Sequence, residues 1–287
     1  MSPVENLMPT FAAPTPVPIV VDVPFGNLHV VAGDRDDVVV TILPADPTKS
    51  GSVRAAEETR VERGPDAVTI VYPGSWKQYV LPFSAGGAIV NIELPAGSDL
   101  TGKAGSLVAE GTLGIVDLTL NGGDARIDEA ARVDLKVSAG SVAIGRVTGG
   151  ANVKASAGGV RIGELAGGGT VRANNGTTTV GSVTGSLEVV GANAEIELGR
   201  VRGTVSAKSA HAGIRVASVE SGSLTLTSSY GSIEVGVPVG VAAWLDVSSE
   251  HGTVRNQLTA TAGPTEDEAR AEIRAGTGYG DVIIRRP

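Results

Sequence analysis

From residue 133 the apolar positions recur at a fixed spacing. The text runs VDLKVSAGSVAIGRVTGG, ANVKASAGGVRIGELAGGG and TVRANNGTTTVGSVTG, and Gly140, Gly158 and Gly176 fall 18 residues apart. With Leu135 as offset 0, Val137, Val142, Ile144 and Val147 stand at offsets 2, 7, 9 and 12. The same offsets return Val153, Ala155, Val160, Ile162 and Leu165, then Val171, Ala173, Thr178, Val180 and Val183. They continue through Val189, Gly191, Ile196, Leu198 and Val201, and through Ala207, Ser209, Ile214, Val216 and Val219. After a slip of one residue come Leu226, Ser228, Ile233, Val235 and Pro238. Backwards, Leu118, Leu120, Ala125, Ile127 and Ala130 fit, as do Leu100, Gly102, Leu107 and Ala109.

Offsets 0/2 and 7/9 alternate with period two, so each repeat holds two short strands. Gly, Asn and Ser between them supply turns. A unit of 18 residues cannot bury its apolar side alone, whereas stacked units make a continuous core. The fold class this predicts is all-β: a single-domain parallel β-solenoid, or β-helix, with rungs of about 18 residues and irregular capping segments. An antiparallel sandwich is the competing architecture, but a meander would reverse the order of offsets in alternate strands.

The expected organisation is a proline-rich segment over 1–18 and one solenoid domain over 19–287. Within it lie regular repeats over about 100–240, an insertion at 44–64, an aromatic loop at 72–83 and a cap at 241–287. In the insertion, SVRAAEETR predicts one or two helical turns with Ser52 as cap. GPD at 64–66 predicts a turn between the strands TRVER and AVTIVY, and GPTEDEA at 263–269 an acidic loop.

Composition narrows the function. The absence of cysteine excludes a disulfide scaffold and a thiolate zinc site. A net charge of -8 argues against a nucleic-acid partner, which needs a basic footprint. Pro9, Pro14, Pro16 and Pro18 interrupt the early apolar run, so neither a signal peptide nor a membrane span is predicted. The expected location is cytoplasmic, with the cell surface, reached by an unrecognised route, as the alternative.

The column at offset 4 carries the most chemistry. It holds Phe25, Asn175, Asn193, His211, Tyr230, His251 and Tyr279, each followed by Gly or Ala. Stacked rungs would line Asn175, Asn193, His211, Tyr230, His251 and Tyr279 along one edge as an interaction ladder for a glycan or peptide. The same position is a turn, where Asn and His tolerate left-handed backbone and like residues stack for stability. A second concentration is YPGSWKQYVLPF, with Tyr72, Trp76, Tyr79 and Phe83. It serves either as a binding patch or as a plug over the end of the solenoid, and Trp244 would do the same at the other end.

No catalytic, metal-binding or cofactor-binding residues are predicted. His29, His211 and His251 are far apart along the chain, the latter two being separated by about 10 Å of rung spacing if they share a column. Asp124, Asp128, Asp134, Glu188, Glu195 and Glu197 are scattered over outward strand positions and form no acid–base pair. GxSxG is missing, and GTGYG at 276–280 lacks the spacing of a nucleotide loop.

The run NIELPAGSDLTGKAG, the AGxVxIGxVxG units, GVAAWLDVSSEHGTVRNQL and the closing GYGDVIIRR resemble a bacterial family over roughly residues 10–287. It is the β-strand-repeat "putative adhesin" domain of unknown function, abundant in actinobacteria. The resemblance implies a toast-rack-like fold, proximity to envelope-stress systems and no catalytic residues. Together the readings predict a non-catalytic scaffold or binding module with an unidentified protein or glycan partner, and the resemblance implies a link to cell-envelope processes. It would be a monomer or weakly self-associating. An exported surface adhesin and a polysaccharide-processing β-helix enzyme are the alternatives.

Overall fold

The computed structural model of the chain describes residues 9–73, 86–259 and 268–287. It is all-β, with 68% strand and 3% helix. Two compact units divide it, Met1–Ile144 and Gly145–Pro287. The first unit holds β1 (Thr10–Ala12), β2 (Ile19–Gly33), β3 (Asp37–Pro44), helix α1 (Ser50–Glu58), β4 (Arg60–Arg63) and β5 (Val68–Val71). It continues with β6 (Ala88–Pro95), β7 (Leu100–Leu120) and β8 (Ala125–Val137), and β9 (Val142–Val147) spans the boundary. The second unit holds β10 (Ala151–Ala155), β11 (Val160–Leu165), β12 (Gly169–Asn175), β13 (Thr178–Val183), β14 (Ser186–Asn193) and β15 (Ile196–Ser209). It ends with β16 (Ile214–Tyr230), β17 (Ile233–Gly236), β18 (Val241–Ser249), β19 (Val254–Asn256), β20 (Ala269–Tyr279) and β21 (Val282–Arg285).

The 18-residue spacing becomes the register of parallel pairing. Val153 lies beside Val171, Val171 beside Val189, and Val189 beside Ala207. A second column sets Ile162 beside Val180, Val180 beside Leu198, and Leu198 beside Val216. All of these side chains are buried. Burying a branched aliphatic side chain contributes about 1.5–3 kcal/mol. The slip of one residue is a bulge: Val201 pairs with Val219 but Arg202 pairs with Ser221, which leaves Glu220 as the extra residue.

The architecture corrects the expectation of a solenoid. The strands form a closed eight-stranded parallel β-barrel with outer strands, not an open solenoid. The toast-rack-like form that the family resemblance implied is set aside by the same finding. The period fixes which strands are neighbours and in what register. It records one buried face per strand, and that face is buried alike whether the sheet stays open or joins back on itself.

The first unit also contains antiparallel pairs, β1 with β3, β3 with β6 and β4 with β5. The last is the hairpin expected around GPD, closed by Gly64 N–H donating to Ala67 O at 2.9 Å. Helix α1 occupies the 44–64 insertion, but Lys49 is its N-cap residue and no side chain caps it. Ser52 lies inside the helix and is buried.

Candidate functional site: a ring column on clamped turns

The residues of the offset-4 column from Asn175 onward all belong to the second unit, and Phe25 belongs to the first. Asn175 and Asn193 are register partners, and Asn193 Nδ2 donates to Asn175 Oδ1 at 3.3 Å. Asn175 Nδ2 in turn donates to Ser156 O at 3.2 Å. His211 stacks on Tyr230 with ring centroids 5.5 Å apart and planes 22° from parallel. Tyr230 stacks on Tyr279 at 5.0 Å and 4°, and Tyr279 on His251 at 4.5 Å and 25°. Tyr230 is 53% exposed and Tyr279 is 51% exposed, and both imidazoles are exposed.

The order in space differs from the order in sequence. Strand β20 pairs with β16 on one side and β18 on the other, so Tyr279 lies between Tyr230 and His251. His211 and His251 thus stand at opposite ends of the four rings.

Side-chain hydroxyls hold the turns that carry these rings. Ser228 Oγ donates to Ala212 O at 3.0 Å, and Ser209 Oγ accepts from the Ala212 N–H at 3.1 Å. Thr277 Oγ1 donates to Gly231 O, and Ser249 Oγ to Gly280 O, each at 2.8 Å. Ser209, Ser228 and Thr277 are buried at offset 2, where the preceding repeats carry Ala155, Ala173 and Gly191. Sequence reasoning counted Ser209 and Ser228 among the apolar positions. The available signal was the change from Ala and Gly to Ser and Thr at the point where the column changes from amides to rings.

Beside the tyrosines lies an open groove of about 450 Å³. Its lining includes Thr227, Ser229, Ser248, Glu250, Tyr230 and Tyr279. A smaller groove of about 170 Å³ is lined by Glu164, Arg200, Arg202 and Glu220, among others. Within it Arg202 is paired to Glu220, and Glu164 is paired to Arg146 outside the lining.

Of the aromatic loop, Tyr72 is described: it is half-buried and its N–H donates to Asp22 O at 3.1 Å. Trp76, Tyr79 and Phe83 lie outside the described residues. Trp244 is not folded over an end. It stands on the outer face of β18, 55% exposed, with the Arg274 guanidinium 5.5 Å from its ring centroid. His29 pairs with Glu110 across 3.3 Å at the surface of the first unit. Several carboxylates join neighbouring strands. Glu188 meets Arg172 at 3.6 Å, and Asp124 accepts from the Ser141 N–H at 2.7 Å.

Among the described residues no helix is long and apolar enough to cross a membrane. The sequence matches no protein-family model and no curated protein. Solved structures similar to it include a putative adhesin from Parabacteroides merdae, at 12% identity over 98% of this chain and 96% of that one, with a TM-score of 0.43. A putative adhesin from Parabacteroides distasonis matches at 12% identity over 97% of each chain, with a TM-score of 0.34. A putative cell adhesion protein from Clostridium sporogenes matches at 9% identity over 99% of this chain and 100% of that one, with a TM-score of 0.24. Their names agree with the adhesin resemblance read from the repeat motifs, and at these scores they extend no function to this chain.

Proposed function

We propose that the chain is a non-catalytic binding module whose contact line is the ring column His211–Tyr230–Tyr279–His251, continued by the amide pair Asn193–Asn175. The observation that carries this reading is the stack itself: four exposed rings in sequence, each seated against the next. A stacked ring surrenders little rotamer freedom when a partner arrives, so its ordering cost is met on folding. Tyr and His also combine an apolar body with a polar tip, which suits a surface that is wet when free and dry when bound. Carboxylates such as Glu188 and Glu234 are engaged by arginines of neighbouring strands and serve the sheet.

The test is binding of the purified chain to immobilised glycan and peptide arrays, beside the Tyr230→Ser/Tyr279→Ser double variant. Binding that disappears in a double variant with unchanged circular dichroism is expected. A blank array, equal binding by both proteins, or turnover of an arrayed glycan overturns the reading.

A further inference from the structure

The groove beside the tyrosines has a floor made by omission. On the outer face of β20, Gly276 and Gly278 carry no side chain. Gly276 is flanked in register by Thr227 of β16 and Ser248 of β18, and Ser229 and Glu250 border the trough two positions further on. A central strand stripped of side chains between two strands that keep theirs is a trough, and it ends at the Tyr230–Tyr279 pair.

The two glycines differ in why they are there. A Cβ on Gly278 would stand 2.9 Å from the Ser229 carbonyl oxygen, so close backbone approach requires glycine. A Cβ on Gly276 would meet only Ser248 Oγ, at an ordinary 3.5 Å, and its backbone is not left-handed. Neither packing nor conformation demands glycine at 276. Glycine weakens a strand, and within a sheet it often marks a bulge, a bend, or a place where a ligand or another backbone comes close. At position 276 its effect is to keep the trough open.

The lining identifies the class of ligand. It offers the hydroxyls of Thr227, Ser229 and Ser248, the carboxylate of Glu250 and the two phenols, and none of the lining residues is basic. Arg274, two positions back on β20, is engaged by Glu272 and Trp244. Nothing here would neutralise a phosphate or sulfate. Because Tyr230 and Tyr279 turn their faces to each other, their edges are what a ligand meets. A ring edge carries partial positive charge and attracts oxygen. The volume, about 450 Å³, falls within the range of about 300–1,000 Å³ usual for small-molecule sites. We infer that this trough binds an uncharged saccharide, its hydroxyls exchanging hydrogen bonds with Thr227, Ser229, Ser248 and Glu250 and its ring abutting the tyrosine edges. The inference rests on the binding role of the ring column and narrows it.

Maltotriose, cellotriose and N,N′,N″-triacetylchitotriose are the probes, titrated into the full chain and followed by NMR. A sulfated heparin tetrasaccharide is run alongside. At least one neutral trisaccharide is expected to bind in the millimolar range or tighter, and better than the sulfated sugar. Gly276→Val should weaken it tenfold or more by filling the floor, without lowering the melting temperature. Thr227→Val removes a hydroxyl and fills nothing, and should weaken binding several-fold; it decides the matter if Gly276→Val proves unstable. No binding by any trisaccharide, preference for the sulfated sugar, or wild-type affinity in the deciding variant overturns the inference. If the trisaccharides fail while the arrays record ring-dependent peptide binding, the saccharide inference alone falls. If the arrays are blank as well, the binding module falls with it.

Discussion

Tyr230 and Tyr279 lie ring to ring, 5.0 Å apart and within 4° of parallel, because β20 enters the sheet beside β16. Each of the two also stacks on a histidine, so each has a ring on either side. Aromatic pairs contribute about 0.5–1.5 kcal/mol beyond the area they bury. Tyr279→Ala should therefore cost about 1–3 kcal/mol. His251→Ala, which breaks one stack, should cost about half that. A double-mutant cycle on Tyr230 and Tyr279 by urea denaturation should give a coupling of about 1 kcal/mol. A coupling indistinguishable from zero would mean that the rings are neighbours without being partners.

Two buried threonines should respond to the same substitution with opposite sign. Thr277 Oγ1 donates to Gly231 O at 2.8 Å, so Thr277→Val strands that carbonyl and should cost about 1–2 kcal/mol. Thr178 is fully buried between Val160 and Ile196, and its hydroxyl has no hydrogen-bond partner among the described residues. Thr178→Val removes an unsatisfied polar atom from an aliphatic column and should stabilise by about 1 kcal/mol. Chemical denaturation of the two variants checks both. Equal losses would show that Thr178 finds a partner in solution.

Gly203 and Gly222 occupy a tight corner. Gly222 has φ of +104°, and a Cβ on it would lie 2.0 Å from the Gly203 carbonyl oxygen. The backbones at this corner are too close for any side chain. Gly222→Ala should cost about 3 kcal/mol or more, combining a forbidden conformation with a direct clash. Gly276→Ala, entering open space, should be neutral or stabilising. Comparing melting temperatures separates a corner that needs glycine from a floor that merely has it.

Asp281 gives the second unit an acid-sensitive clip. Its Oδ1 accepts from the Thr253 N–H at 3.0 Å and from Thr253 Oγ1 at 2.9 Å, and Arg255 is 3.6 Å from Oδ2. The backbone donor chiefly, then the hydroxyl and the cation, hold the carboxyl below its ordinary value. A carboxyl depressed by folding stabilises the native state at pH above its unfolded value, near 3.8, and loses that contribution as pH falls through the folded one. Asp281→Ala should therefore melt below wild type at pH 7, and the gap should close as the pH falls below about 4. A gap independent of pH would show that the charge is not what holds the clip.

The repeat columns were legible because a register-locked parallel sheet writes the same burial at the same offset in every repeat. Val153, Val171 and Val189 are core in the sequence and core in the structure for that one reason. The order of the ring column was not legible. Nothing in His251 or Tyr279 states which one faces Tyr230, because that depends on which strand inserts between which. Closure of the sheet was hidden for the same reason, since alternation reports a buried face and says nothing of where the edges meet. The hydroxyl clamps were half-visible: Ser209, Ser228 and Thr277 kept the core position while departing from its chemistry. The glycine floor was weighed only as a nucleotide loop, whose spacing GTGYG lacks. A glycine that makes room for a ligand has the same letter as one that makes room for a bend.

The insertion of β20 between β16 and β18 has a consequence for the order of assembly. Trp244 and His251 are made before residue 269, yet β18 and β19 take their places against β20 and β21. A nascent chain that has emerged only as far as residue 260 carries those strands with their partners still inside the ribosome. Docking early against β16 would occupy the very edge that β20 must claim. The second unit thus contains a competition between a first arrival and the rightful neighbour, and completing it requires that the earlier strands wait.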